Sequence, residues 1–246
     1  IFEIIKKEQL EMIKKYGDKR RTIISNQLIG KFSAEDLIPN DEVIVALTRG
    51  GYIKRMTTDT FKAQKRGGKG IMGMSLKDED DILQLIYTYS HNNIYFFTSK
   101  GRIFVSKVHE IPQSSRTAKG QALANIIQIS PDEKISAILS TNETSNEYKY
   151  IFMVTKNGVI KKTEIIKYNN IRKTGIIAIG LKKGDKLKFV KMTTGGDKIL
   201  IVTHKGQGIY FEESQLRPMG RSASGVRGIR IRPEDEVCSI DIVRKE

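Results

Sequence analysis

The sequence predicts an all-β architecture of repeated units, each the size of a propeller blade, preceded by one short helix. Three observations carry this reading. An apolar run, then Thr-x-x-Gly, then a second short run occurs four times: VIVALTRGGYIKR from Val43, IYFFTSKGRIFV from Ile94, IFMVTKNGVIKK from Ile151 and ILIVTHKGQGIYF from Ile199. The register glycines Gly51, Gly101, Gly158 and Gly206 lie 50, 57 and 48 residues apart, a period that suits a four-stranded blade. A second glycine follows each of them, Gly70, Gly120, Gly175 and Gly225, at offsets of 19, 19, 17 and 19.

Residues 1–16 (IFEIIKKEQLEMIKKY) read as the helix, with Ile1, Ile5, Leu10 and Ile13 roughly on one side and Gly17 placed to end it. So short an apolar stripe is unstable alone and needs a surface to pack on. Beyond Asp18 the helical period gives way to short β-type runs punctuated by glycine. Within each unit, runs such as IYFF and IFMV are rich in β-branched and aromatic residues, as buried strands are. The glycine after them accepts the positive φ of a tight hairpin turn, most plainly at Asn157-Gly158. An acidic turn comes next (Asp78-Glu79-Asp80-Asp81, Asp132-Glu133, Asp185, Glu234-Asp235-Glu236), and we expect the apolar strand after it to open the following unit. The first unit then lacks a leading strand, because Pro39-Asn40-Asp41-Glu42 runs straight into Val43; in a ring the other terminus often supplies one. Four units are few for a closed ring, and the chain opens at Ile1 rather than Met, so we expect a piece of a longer protein.

Composition narrows the function classes. With 43 Lys+Arg against 28 Asp+Glu, the 246 residues carry a formal charge of +15, which points to a polyanionic partner, nucleic acid first. The single cysteine, Cys238, excludes an internal disulfide framework and a cysteine-based zinc site, and it fits a reducing, cytoplasmic compartment. No apolar run approaches the roughly 20 residues of a membrane span.

The charge is not spread evenly. Between Ala46 and Ser75 stand seven basic residues (Arg49, Lys54, Arg55, Lys62, Lys65, Arg66, Lys69) and one acid, Asp59. Between Leu216 and Arg232 stand five arginines (Arg217, Arg221, Arg227, Arg230, Arg232) and no acid. The middle units repeat the theme with Arg102, Arg116 and Lys119, then Lys161, Lys162, Arg172 and Lys173. A lone lysine is ordinarily a solvated surface group, but recurrence at one place in each unit predicts a basic belt around a rim. We take Arg49, Lys54, Arg55, Arg102, Arg116, Lys119, Lys161, Lys162, Arg172, Lys173, Arg217, Arg221 and Arg227 as its candidate nucleic-acid contacts. Within the belt, Gln64-Lys65-Arg66-Gly67-Gly68-Lys69-Gly70 sets three cations among glycines that let the backbone approach an anionic surface, contacting phosphates without reading bases. A nucleotide-binding reading is weak, since no Gly-Lys-Ser/Thr opens a helix here.

QKRGGKG at 64–70 resembles the gyrase A box, QRRGGKG in that family, with Lys65 in place of an arginine. KYGDKRRT at 15–22 is similar to the segment that joins the breakage-reunion core of the gyrase A family to its carboxy-terminal domain, and Arg221 to Gly225 matches the R-x-A/S-x-G element of its blades. The resemblance spans nearly the whole chain. It implies a β-pinwheel, six blades in the family against four repeats here, with 1–22 the end of the linker helix from the breakage-reunion domain and 23–246 the DNA-wrapping domain. It further implies double-stranded DNA as the partner, wrapped without sequence specificity around the basic rim in a bacterial cytoplasm. The gyrase B protein and the breakage-reunion domain are the implied protein partners in an A2B2 holoenzyme that introduces negative supercoils, with no membrane partner. ATP and Mg are used elsewhere in that holoenzyme, and this stretch is expected to hold no cofactor and no metal. Lys65 keeps the charge of the arginine but loses its planar fork, which weakens one phosphate contact.

No catalytic constellation is visible, so the stretch alone is not expected to be an enzyme. None of the nine tyrosines has the context of the family's DNA-linked tyrosine, which lies upstream. His91, His109 and His204 lack metal-ligand spacing and read as turn or surface residues, and the acidic turns read as structural. Bending 20–30 bp by 40–90° costs on the order of 1–6 kcal/mol, so one box of about three charged contacts must share the work with the other units. Two alternatives remain: the equivalent domain of topoisomerase IV, whose box is usually degenerate, and a propeller whose basic rim binds acidic proteins.

Overall fold

The computed structural model describes residues 1–18, 37–60, 80–141 and 147–244. The chain divides into two compact units, 1–37 and 38–246. In the first, helix α1 spans Phe2–Tyr16 and none of its residues is buried, so the packing partner expected for its apolar stripe is not found among its described residues. Gly17 ends it with extended backbone (φ −71°, ψ 122°), its N–H still donating to Ile13 O.

The second unit holds four antiparallel sheets. Each begins with a hairpin: β1 (Glu42–Thr48) and β2 (Tyr52–Thr57), β4 (Asn93–Thr98) and β5 (Arg102–Lys107), β8 (Tyr150–Thr155) and β9 (Val159–Glu164), β12 (Lys198–Thr203) and β13 (Gly208–Glu212). The Thr-x-x-Gly motif now has its physical reason. The threonine hydroxyl accepts the N–H four residues on, at 3.1 Å from Tyr52, 3.2 Å from Arg102, 3.1 Å from Val159 and 3.1 Å from Gln207. The register glycines take φ of 80°, 74°, 77° and 77°, the left-handed conformation such a turn requires. The acidic turns latch the same hairpins: Asp80 Oδ1 accepts from Gly50 N at 2.7 Å, Asp185 Oδ1 from Asn157 N at 3.1 Å, and Asp235 Oδ1 from Lys205 N at 3.0 Å.

The strand after each acidic turn corrects the expected unit boundaries. β3 (Ile82–Tyr89), β7 (Ile135–Thr141), β11 (Leu187–Thr193) and β15 (Val237–Val243) each pair with the first strand of the preceding hairpin, closing the same unit rather than opening the next. The fourth strand crosses units. β6 (Gln121–Ala122) lies on β2, β10 (Ile176–Ile177) on β5 and β14 (Val226–Arg227) on β9, so three sheets receive a two-residue strand from the following unit. The first sheet is therefore complete without a leading strand, and it is the second unit, not the other terminus, that fills it.

Apolar cores lie between successive sheets. Val43, Val45 and Leu47 meet Ile94, Phe96 and Phe104; Tyr95 and Phe97 meet Ile151 and Met153; Phe152 and Val154 meet Ile199 and Ile201. Alternate residues of β4 and of β8 thus face opposite neighbours, which is why both strands read as continuous apolar runs. This strand-exchanging stack of blades is the propeller-like arrangement the repeats predict.

Candidate nucleic-acid interface

Cations recur in the segment that leads into each donated strand. Arg116 and Lys119 precede β6, Arg172 and Lys173 precede β10, Arg217 and Arg221 precede β14, and Arg227 lies within β14. Since β6, β10 and β14 occupy the same edge position in three successive sheets, these cations stand at equivalent places along one edge of the blades. Arg172, Lys173, Arg217, Arg221 and Arg227 are exposed, and Arg116 and Lys119 are half-buried. The Lys119 ammonium sits 3.7 Å from the centroid of the Tyr52 ring, an anchor worth on the order of 0.5–2 kcal/mol. Arg49, at the tip of the first hairpin, is exposed, and its pairing with Asp81 at 3.9 Å is an ion pair of about 0–1 kcal/mol.

Three of the sequence-predicted rim residues are interior. Lys54 has no exposed surface, and its ammonium donates to the carbonyls of Ser115 (3.3 Å), Arg116 and Ala118 (2.9 Å). Lys161, equally buried, donates to Ala178 O at 2.6 Å and to Arg221 O. Lys162 donates to Glu213 O at 3.0 Å and pairs with the Glu213 carboxylate at 3.4 Å. Their side chains point between blades, where carbonyl oxygens satisfy the charge, so none can reach a phosphate. Two more candidates are half-buried and tied down. Arg55 donates to Ile111 O at 3.2 Å and Ser90 Oγ at 3.4 Å. Arg102 pairs with the buried Glu133 at 3.0 Å, donates to Thr174 O and lies 4.6 Å from the Phe104 ring centroid. The box, Gln64, Lys65, Arg66, Gly67, Gly68, Lys69 and Gly70, falls outside the described residues.

Beside β14 a cleft of about 970 Å³ is lined by Arg227, Arg230, Arg232, Glu234 and Asp235, among others. Arg230 and Arg232 are exposed there, beside the candidate rim residue Arg227, although only their membership of the acid-free arginine run pointed to them. His91 and His109, far apart in sequence, bring their rings 6.3 Å apart edge-on, with His91 Nε2 2.6 Å from Ile38 O. Among the described residues no three His, Cys, Asp or Glu side chains gather as a metal site. None of the described helices is long and apolar enough to cross a membrane.

The family model described as "DNA gyrase C-terminal domain, beta-propeller" matches residues 42–88, 92–142, 149–194 and 197–244, one match for each blade. The chain belongs to this family. The DNA gyrase A protein of Clostridium acetobutylicum is 46% identical over 228 residues, 93% of this chain and 27% of that protein. Its counterpart from Staphylococcus epidermidis is 38% identical over 246 residues, 100% of this chain and 28% of that protein. The chain thus spans about a quarter of the length of these relatives. Among solved structures, the C-terminal domain of DNA topoisomerase IV superposes with a TM-score of 0.70 at 31% identity, over 85% of this chain and 63% of that one. A DNA gyrase A C-terminal domain shares the fold, with a TM-score of 0.64 at 24% identity over 81% of this chain and 64% of that one. In this gyrase-family domain the blade boundaries set by the matches agree with the sheets: each match begins within one residue of a hairpin and ends on the strand that closes it or one residue past it.

Proposed function

We propose that this chain binds duplex DNA along its basic blade edge and curves it, serving as the DNA-wrapping part of a gyrase A protein whose ATP-driven strand passage is carried out by other parts of an A2B2 assembly. One observation carries the reading: exposed arginines recur in equivalent edge loops of successive blades, at Arg172, Arg217 and Arg221, with Arg116 half-exposed in the first of those loops and Arg227 exposed on the edge strand β14 itself. Cations repeated along an edge suit a polyanion that passes every blade in turn, and contacts to phosphates alone make binding indifferent to base sequence. By its sequence the box at 64–70 brings three more cations, and the holoenzyme supplies ATP and Mg at other sites.

The test is a topology assay. Relaxed plasmid is mixed with the chain, treated with a type I topoisomerase, and its linking number read on a gel. A protein-dependent shift supports chiral wrapping, and DNA bound tightly yet left uncurved overturns it. Binding should weaken with salt at a log–log slope of about −0.9 per neutralised phosphate. A second reading, the substrate-selecting domain of a topoisomerase IV, draws on the 31% identity to that enzyme's solved domain. Box substitution in the holoenzyme separates the two: lost supercoiling supports gyrase, and unchanged supercoiling supports topoisomerase IV.

A further inference from the structure

The buried lysines and the exposed arginines meet in one loop. In the third sheet, Lys161 on β9 presents its ammonium to the carbonyl oxygen of Arg221, a residue of the following unit, while the Arg221 side chain is exposed. The same ammonium holds Ala178 O, which also accepts from the Tyr168 hydroxyl at 3.1 Å. The first sheet repeats the arrangement. Lys54, three residues after its register glycine as Lys161 is after Gly158, holds the carbonyls of Ser115, Arg116 and Ala118. In both loops an N–H also closes a turn, from Ala118 to Ser115 O and from Ala223 to Gly220 O. Glycine ends both at positive φ, 84° at Gly120 and 81° at Gly225. With its carbonyl held from inside, Arg221 keeps an exposed side chain and Arg116 a half-exposed one. The second sheet has Phe104 at the equivalent position, and the loop it receives, ending at Gly175, is two residues shorter.

We infer that Lys54 and Lys161 are positioning residues for the DNA-contacting edge: each ammonium caps the backbone of the next unit's arginine loop and thereby fixes Arg116 or Arg221 toward a DNA phosphate, without touching DNA itself. The inference rests on the DNA-binding reading above. It explains why strand positions fully enclosed by protein hold lysine at two sheets where a long arginine loop arrives, and phenylalanine where a short one does.

The experiment compares binding of a linear duplex, across a salt series at pH 7, for the unsubstituted chain, Lys161→Met, Arg221→Ala and the double substitution. Each single change is expected to reduce the salt slope by about 0.9, one phosphate, an effect of roughly eightfold per tenfold change in salt. The double variant is expected to lose no more than either alone, because both remove one contact. Additive losses, or a Lys161→Met slope equal to that of the unsubstituted chain, overturn the inference. If the unsubstituted chain binds without salt dependence, the DNA reading itself fails, which is a different result.

Should Lys161→Met not fold, the unsubstituted chain carries the test through pH. Burial lowers the Lys161 pKa to about 8. The Tyr168 hydroxyl, pushed up to about 12, shares the Ala178 carbonyl with it, and on its own strand Lys162 is paired with Glu213. Between pH 7 and 9 the ammonium loses its proton and the slope is expected to shrink toward that of Arg221→Ala, whose own slope stays level. Folding stability is expected to rise over the same interval, because the unfolded chain keeps its lysine proton to about 10.5 while the folded one releases it. Weaker DNA contact in a more stable protein separates positioning from damage to the fold. A slope that holds from pH 7 to 9 overturns the inference.

Discussion

Three and four residues after the register glycine, the first and third sheets send cations to the next blade (Lys54 and Arg55, Lys161 and Lys162), whereas the second sheet sends apolar side chains. β2 sends Arg55 to Ile111 O, and β9 sends Lys162 to Glu213, each a group at or beside the 3-10 turn of the following blade. β5 carries Phe104 and Val105 at the matching positions. One fold thus tolerates two chemistries at the same register, provided the arriving loop suits each. A cation needs carbonyls to surround it, and a longer loop has them to offer. An aromatic ring needs only a flat, close neighbour, which Gly175 supplies: a Cβ there would lie 2.7 Å from the Phe104 ring.

The most severe way to break this contrast is to orphan a buried charge. The Lys162–Glu213 pair has side chains 4% and 0% exposed, and the carboxylate also accepts from Thr193 Oγ1 at 2.8 Å and Gly195 N at 3.0 Å. Glu213→Ala is expected to cost about 3–5 kcal/mol, read by denaturant unfolding; a loss below about 1 kcal/mol would show that the Glu213 carbonyl alone satisfies the ammonium. Phe104→Lys should cost somewhat less, about 3 kcal/mol, because the short loop offers an incoming ammonium too few carbonyls. Lengthening the 172–175 loop by two residues in the same protein should recover part of that loss. No recovery would mean that loop length and residue choice are unrelated.

Glycines sharpen the contrast at lower cost. Gly206 has positive φ but open space around it, so Gly206→Ala carries only left-handed strain, about 1–2 kcal/mol. Gly120 has the same strain, and a Cβ would also lie 2.5 Å from Ile53 O, a backbone atom held in a strand. Gly120→Ala should therefore exceed Gly206→Ala by about 1 kcal/mol or more in thermal unfolding. Equal costs would mean that the lysine-capped loop moves freely away from β2.

These cases also show what a sequence can reveal. The hairpins were legible because their determinants are local: a threonine hydroxyl, a glycine at positive φ and an acid near the turn all fall in fixed spacing. The partner of β3, β7, β11 and β15 was not, since an apolar strand can close its own unit or open the next with the same pattern. Lys54 and Lys161 looked like surface residues because their partners are backbone carbonyls, which leave no mark in residue types, and Lys162 because its carboxylate partner, Glu213, lies 51 residues away. The arginines of the edge loops were legible because an acid-free run in a glycine-punctuated segment has few ways to be interior. Arg230 and Arg232 share that run, and only the cleft beside β14 distinguishes their place.

The gentlest perturbation acts where blades meet at the sheet surface. Between first and second sheets the seam is neutral: Gln84 exchanges two hydrogen bonds with the backbone of Ile138, at 2.9 and 3.0 Å. Between third and fourth it is ionic. Glu236 takes Lys188 at 2.8 Å and Lys156 at 3.0 Å, and these two ammonium groups pull its carboxyl down to about 2. A depressed carboxylate contributes stability that is complete above its unfolded value near 4.5 and disappears as pH falls through the folded one. Between about pH 4.5 and 2 the third–fourth seam should therefore loosen while the Gln84 seam does not. Because the pair is part-exposed, the loss is small, about 1 kcal/mol or less, and hydrogen exchange resolved by strand is the suitable measurement. Faster exchange in β11 and β15 relative to β3 and β7 on acidification is expected, and Glu236→Gln should abolish the difference. Parallel acceleration at both seams would mean that blade contacts are held by apolar packing alone and that the ionic seam adds nothing of its own.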